Sequence, residues 1–215
     1  MEVDHIFIFS NNRGKEASDL IEFGLTEGSN RLHSGQGTTN LKFYFDNFFL
    51  EILWVVNEDE IQSELTEKTK LWERSQFEKN GNSRFGLCLV NSKSTDNLFE
   101  KSEIYKPNYS PKGMSIDIIT NEQNPNLPWT FRLPYRGKKK KNNEPIEHLN
   151  GIKSLTKVEF KTQTDSKKID FEDAFKNIEN IKFTKSDSLS LILEFDNIAQ
   201  GKVKEFPELD LKIKY

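Results

Sequence analysis

The sequence predicts an α+β fold built from repeated units of a strand, a helix and further strands. The opening VDHIFIF is apolar on both alternating faces apart from His5, as a strand covered on both sides must be. LKFYF and FFLEILWV flank Asp46-Asn47, a pair that suits a two-residue hairpin turn favouring positive φ. The order of strand, helix and strands then recurs at intervals of about 60–80 residues, and such repeats pair so that curved sheets cover one another's faces.

Taken in order, Val3, His5, Phe7 and Phe9 share one face of the first strand, and Asp4, Ile6 and Ile8 the other. NNRGKEASDLIEFG places Ala17, Leu20 and Ile21 on one helical face, with Gly24 as a stop. Residues 25–38 are polar and Gly-containing, a loop with one irregular strand, and the hairpin over 41–55 follows. Ile61, Leu65, Leu71, Trp72 and Phe77 form an apolar stripe that predicts a helix over 58–80, ended by Asn80-Gly81-Asn82. The second round runs RFGLCLV as a strand, STDNLFEKSEIY as a helix, then SIDIIT and WTFRLPY as strands. GKKKKNNEP interrupts the pattern within 136–150. The third round is GIKSLTKVEFKTQ, a helix around DFEDAFKNI, and the strands SLSLILEF and LDLKIKY. The expected division is module one over 1–57, a connecting helix over 58–80, module two over 83–135, a basic loop over 136–150 and module three over 151–215, all in one body.

Composition narrows the function classes. The 215 residues carry 31 Lys+Arg and 34 Asp+Glu, a net charge of −3, so no global field favours nucleic acid or an anionic membrane. With 17 Phe, 5 Tyr and 3 Trp the chain can bury an aromatic core despite being 30% charged. No apolar run approaches the roughly 20 residues of a spanning helix, and MEVDHIFIF is acidic where a signal peptide would be basic. One cysteine, Cys88, excludes an internal disulfide framework and a multi-Cys zinc site. The expectation is a cytoplasmic protein with a small-molecule ligand and neither nucleic acid nor membrane as partner.

Glu51 is the most informative position. It alternates with Phe49, Leu53 and Val55 on a strand whose other face is Leu50, Ile52 and Trp54. A carboxylate there needs a metal, a cation such as Arg132 or Arg84, or its own proton, and all three readings stand. His5 reads either as a hydrogen-bonded core histidine or as a ligand. In HSGQGTTN, His33, Gln36, Gly37, Thr38 and Asn40 offer polar groups on a chain whose glycines permit close approach, against the alternative of an ordinary turn. His148 either rims a pocket or is solvated. Trp129 and Phe131 read as core, Cys88 as an inert core thiol, and Lys138–Lys141 as a solvated loop.

VDHIFIF, HSGQGTTN, FFLEILWV, EHLNG (147–151) and LEFDN (193–197), by their order and spacing, resemble the glyoxalase-like domains of the vicinal oxygen chelate superfamily. The resemblance covers essentially the whole chain. It implies tandem βαβββ modules forming curved mixed sheets around a cup-shaped pocket, where a divalent metal binds adjacent substrate oxygens. Carried over, His5 matches the first-strand histidine and Glu51 the fourth-strand glutamate. Gly86 and Leu87 stand where module two would supply a ligand, Arg132 at the place of Glu51, and Lys157 at the place of a third histidine, with Glu194 matching the closing glutamate. Two ligands of four are too few for a closed metal site, so no firmly held cofactor is expected. Arg132 would face Glu51 across the cup. The implied function is binding of a small organic molecule, with Glu51 as acid/base and His5 beside it in a lyase or isomerase, or a sequestering protein that has lost the chelate. Arg84, Arg132 and His148 join the 33–40 loop as substrate-binding candidates, and the modules pair within one chain or across a homodimer.

Overall fold

The computed structural model describes residues 1–111, 113–137, 143–163 and 170–215, so the Lys138–Lys141 run lies outside the described residues. Strand β1 (Val3–Phe9) is followed by helix α1 (Ala17–Glu22) and strands β2 (Asn30–His33), β3 (Thr38–Tyr44) and β4 (Phe49–Val55). After a helical connection come β5 (Phe85–Asn91), β6 (Glu103–Tyr105), β7 (Ile116–Ile119) and β8 (Trp129–Arg136). These eight strands form one sheet ordered β2-β3-β4-β1-β5-β8-β7-β6, strongly curled into a half-barrel. β1 pairs in parallel with β4, β5 pairs in parallel with β8, and β1 and β5 run antiparallel at the centre. Each half thus closes its last strand onto its first, the pairing that makes a curled βαβββ unit.

The remaining strands, β9 (Leu155–Thr162), β10 (Ile181–Lys185), β11 (Ser190–Phe195), β12 (Val203–Phe206) and β13 (Leu211–Lys214), form a second sheet ordered β10-β9-β11-β13-β12. Its centre has the same plan, antiparallel β9 and β11 flanked by the parallel partners β10 and β13. One apolar cluster joins the two sheets: Ile6, Ile8, Leu50, Ile52 and Leu87 of the first with Val158, Phe160, Leu191, Leu193 and Ile213 of the second. A separate cluster of Phe7, Phe9, Leu53, Ile116, Ile118 and Trp129 lies on the other face, inside the cup.

Four local expectations are corrected. The 58–80 segment is not one helix but α2 (Glu58–Ile61), a 3-10 turn (Glu67–Thr69), α3 (Leu71–Ser75) and α4 (Phe77–Asn80). Thr66 Oγ1 donates within reach of the carbonyls of Glu60 and Ile61, competing with helical bonding, and Lys70 at φ 57° ends the 3-10 turn. In 94–105 the expected helix is replaced by a 3-10 turn at Lys93–Thr95, closed by a Ser92/Thr95 capping box, and by β6. The hairpin turn at Asp46-Asn47 forms without positive φ. Asn47 instead exchanges side-chain hydrogen bonds with the backbone of Leu155 at 2.8 and 2.9 Å, docking the second sheet.

The fourth correction concerns β1. Its register against β5 slips between Val3↔Leu89 and His5↔Cys88, so Asp4 is the extra residue of a bulge. Val3 therefore packs with Ile6 and Ile8, and Asp4 turns toward His5 instead of sharing their face.

Candidate functional site

The cup encloses a cavity of about 380 Å³. β1, β2, β3, β4 and β8 supply its floor and walls, and Tyr105, Tyr109, Ser110, Pro111, Met114 and Ile116 of the covering segment close one side. His5, His33, Gln36, Asn40 and Glu51 all line it, brought together from four strands and one turn.

These groups form a continuous polar row along an otherwise apolar cup. Nδ1 of His5 donates to Asp4 Oδ2 at 2.7 Å, and its Nε2 lies 3.8 Å from Glu51 Oε2. Because a carboxylate only accepts, the Asp4 contact fixes the proton on Nδ1 and turns Nε2 toward Glu51. Asn40 Nδ2 donates to Glu51 Oε1 and lies 3.4 Å from His33 Nε2. His33 Nδ1 is 2.9 Å from Thr38 Oγ1, which also accepts from Gln36 Nε2 at 2.8 Å. Tyr109 donates to Gln36 Oε1 at 3.0 Å, so the covering segment is tied to the far end of the row. Gly37 sits at φ +75°, where an added Cβ would meet the Asn57 carbonyl, which explains why this turn needs glycine.

Burial sets the electrostatics. It pushes the His33 imidazole below its ordinary pKa, with Glu51 partly opposing, and it lowers the Lys42 ammonium in the same way. The phenols of Tyr105 and Tyr109 are pushed well up by burial and stay neutral; Tyr109 donates to Gln36, and the buried Tyr105 hydroxyl has no partner among the described residues. The ring of His5 stacks on Phe49 at 4.1 Å and meets the edge of Phe131 at 5.2 Å.

Five sequence-predicted residues do not line the cavity: Gly37 and Thr38, which lie behind the polar row, and Arg132, Arg84 and His148. Arg132 is bound by Asp117 at 2.7 Å and Asp96 at 3.1 Å and lies over the Phe99 ring, so it does not face Glu51. Arg84 donates to the carbonyls of Phe9 and Glu208 and pairs with Asp210 at 3.2 Å, stapling β1 to the C-terminal sheet. His148 accepts from the Thr26 N–H at 3.0 Å and packs on Phe45. Conversely, Trp129 and Phe131, read as core, line the cup as well as packing in it.

A local two-fold relates the halves: the Phe9 N–H to Arg84 carbonyl bond on one side is matched by Val90 N–H to Glu2 carbonyl on the other. It brings Gly86 onto the place of His5 and Phe131, not Arg132, onto that of Glu51. A shift of one residue along a strand changes the face, which is why Arg132 points elsewhere. Module two thus offers no imidazole or carboxylate to the cup; Phe7 fills the notch at Gly86, where an added Cβ would lie 2.0 Å from its ring. The donor set does not fit a four-ligand chelate. Asp4, His5 and Cys88 do place three donor atoms within 4.8 Å of one another, and the His5–Asp4 hydrogen bond accounts for two of them.

Sequence reasoning missed Asp4, Lys42, Tyr105 and Tyr109. Lys42 was accessible to it: counting outward from the Asp46-Asn47 turn pairs Lys42 with Glu51, as observed. Asp4 was hidden by the bulge.

No family model and no curated protein matches this sequence. Among solved structures the chain is similar to a hypothetical protein from Staphylococcus aureus, with a TM-score of 0.58 and 12% identity over 99% of this chain and 98% of that one. A hypothetical protein from Bacillus halodurans C-125 matches with a TM-score of 0.41 and 10% identity, over 66% of this chain and 98% of that one. The first likeness is one of fold, and places the chain among curled-sheet α+β proteins. No helix among the described residues is long and apolar enough to cross a membrane.

Proposed function

We propose that this chain is a cup-shaped protein of the vicinal oxygen chelate type that encloses a small organic molecule, on which the His5–Glu51 pair moves a proton, as in lyases and isomerases. The observation that carries this reading is the cavity itself: an aromatic-walled space of about 380 Å³ with a row of polar groups on one side, the composition typical of small-molecule sites. Within it, Oε2 of Glu51 takes the proton from the ligand and, as the carboxylic acid so formed, gives it back to a neighbouring ligand atom, while the unprotonated Nε2 of His5, oriented by Asp4, faces that oxygen. The modules over 1–57 and 83–135 form the cup, and the module over 151–215 backs it.

A second reading, a sequestering protein without turnover, is favoured by the wall opposite Glu51, where Phe131 and Trp129 supply shape but no acid or base. Deuterium exchange separates the two. For a ligand that binds, an acid/base enzyme exchanges a carbon-bound proton with D2O, and Glu51→Gln abolishes exchange even at ligand concentrations that saturate the variant. A sequestering protein exchanges nothing in either form.

A further inference from the structure

Of the two cations among the described residues that line the cup, Arg31 donates to the Tyr109 carbonyl at 2.8 Å, whereas the Lys42 ammonium has no such acceptor. Lys42 lies two residues beyond Asn40 on β3, directly opposite Glu51 in the β3–β4 register, and lines the cavity half-buried. Among the described residues its ammonium has no hydrogen-bond or ion-pair partner, although Glu51 and Glu144 attract it from a distance. Withdrawing an ammonium from water without a partner is unfavourable, and a ligand anion would remove that cost. Beside it, Glu51 keeps one oxygen on Asn40 and directs the other into the same space, where it accepts but cannot donate. Adjacent strands thus present a cation and a carboxylate that do not touch each other. Phe7, Phe49, Trp129 and Phe131 line the same cavity.

Resting on the proposal that the cup is the binding site, we infer that its ligand is an aryl-substituted 2-hydroxy or 2-amino carboxylate. The carboxylate meets Lys42, the neighbouring hydroxyl or ammonium donates to Glu51, and the flat ring packs among the four aromatic side chains. A simple anion leaves Glu51 facing a like charge. A simple arene leaves Lys42 unpaired.

Titration calorimetry with three probes tests this. 3-Phenyllactate carries all three features, 3-phenylpropanoate lacks the donor, and 2-phenylethanol lacks the carboxylate. The expected order is phenyllactate tightest and each of the others weaker by about tenfold or more, the worth of one charge-assisted hydrogen bond. Lys42→Met should erase the advantage of phenyllactate over phenylethanol without changing phenylethanol binding, and Lys42→Arg should retain most of it. Equal affinity for the three probes, or phenyllactate binding unchanged in Lys42→Met, overturns the inference and leaves the cup as a binding site. Failure of all three, phenylethanol included, removes the binding-site reading as well.

Discussion

Asp4 and His5 are neighbours in sequence, yet their side chains meet at 2.7 Å, because the β1 bulge turns both the same way. The contact orients the imidazole and selects the tautomer that presents Nε2 to Glu51. Nitrogen-15 shifts of the His5 ring should report the proton on Nδ1 in the neutral form. Asp4→Ala should release that preference and lower stability by about 1–3 kcal/mol, the cost of an unanswered buried donor. An Nε2–H tautomer in the native chain contradicts this assignment.

Gly86 carries no side chain because Phe7 occupies the space. An added Cβ would sit 2.0 Å from Phe7 Cε1, so Gly86→Ala should destabilise by about 1–3 kcal/mol. Pairing it with Phe7→Leu should recover part of the loss, and denaturant melts of the four proteins in the cycle measure the coupling.

Arg74 is 2% exposed, and its guanidinium donates to the carbonyls of Ser83, Thr120, Pro125 and Leu127 at 2.5–3.3 Å. Burial pushes its pKa down to about 10, still far above neutrality. It fastens α3 beneath module two. Arg74→Met should cost about 3 kcal/mol or more by stranding these acceptors, and Arg74→Lys should recover only part, since an ammonium has three donors. Urea unfolding gives both numbers.

Acid should weaken the fold through its buried histidines. Burial holds His148 and His33 below the ordinary value of 6.5, and protonating Nδ1 of His148 would destroy its bond from the Thr26 N–H. The unfolded chain therefore takes up protons first, so this stabilisation is full above pH 6.5 and is lost as pH falls through the lower folded values. Urea midpoints measured from about pH 8 to about pH 5 should decline on the acid side, and His148→Gln should flatten the decline. A midpoint that rises toward acid contradicts this.

The strands that sequence periodicity read poorly or missed are β2, β6, β10 and β12, which are the four edges of the two sheets. An edge strand is short and half-solvated, so its side chains need not alternate; Val203–Glu205 are all exposed. The central strands, covered on both faces, stood out as apolar runs. In the site, Glu51 and His5 were legible as polar residues within such runs, and Asn40 and His33 as part of a glycine-bearing turn. Arg132 misled because its place depends on a one-residue register that only the β5–β8 pairing fixes. Arg84 and His148 carry the same chemical groups as site residues, but the second sheet and the segment ahead of it use them to hold the body together.

The most direct test of the account is a map of where small aromatic molecules bind. Backbone amide shifts of the labelled chain, followed during titration with 2-phenylethanol and 3-phenyllactate, should move at His5, Asn40, Glu51 and Phe131, on the strands that line the cup. Shifts confined to the separate polar cleft at Ser10, Trp54 and Lys79, or no shifts at all, would contradict the claim that the cup is where this protein works.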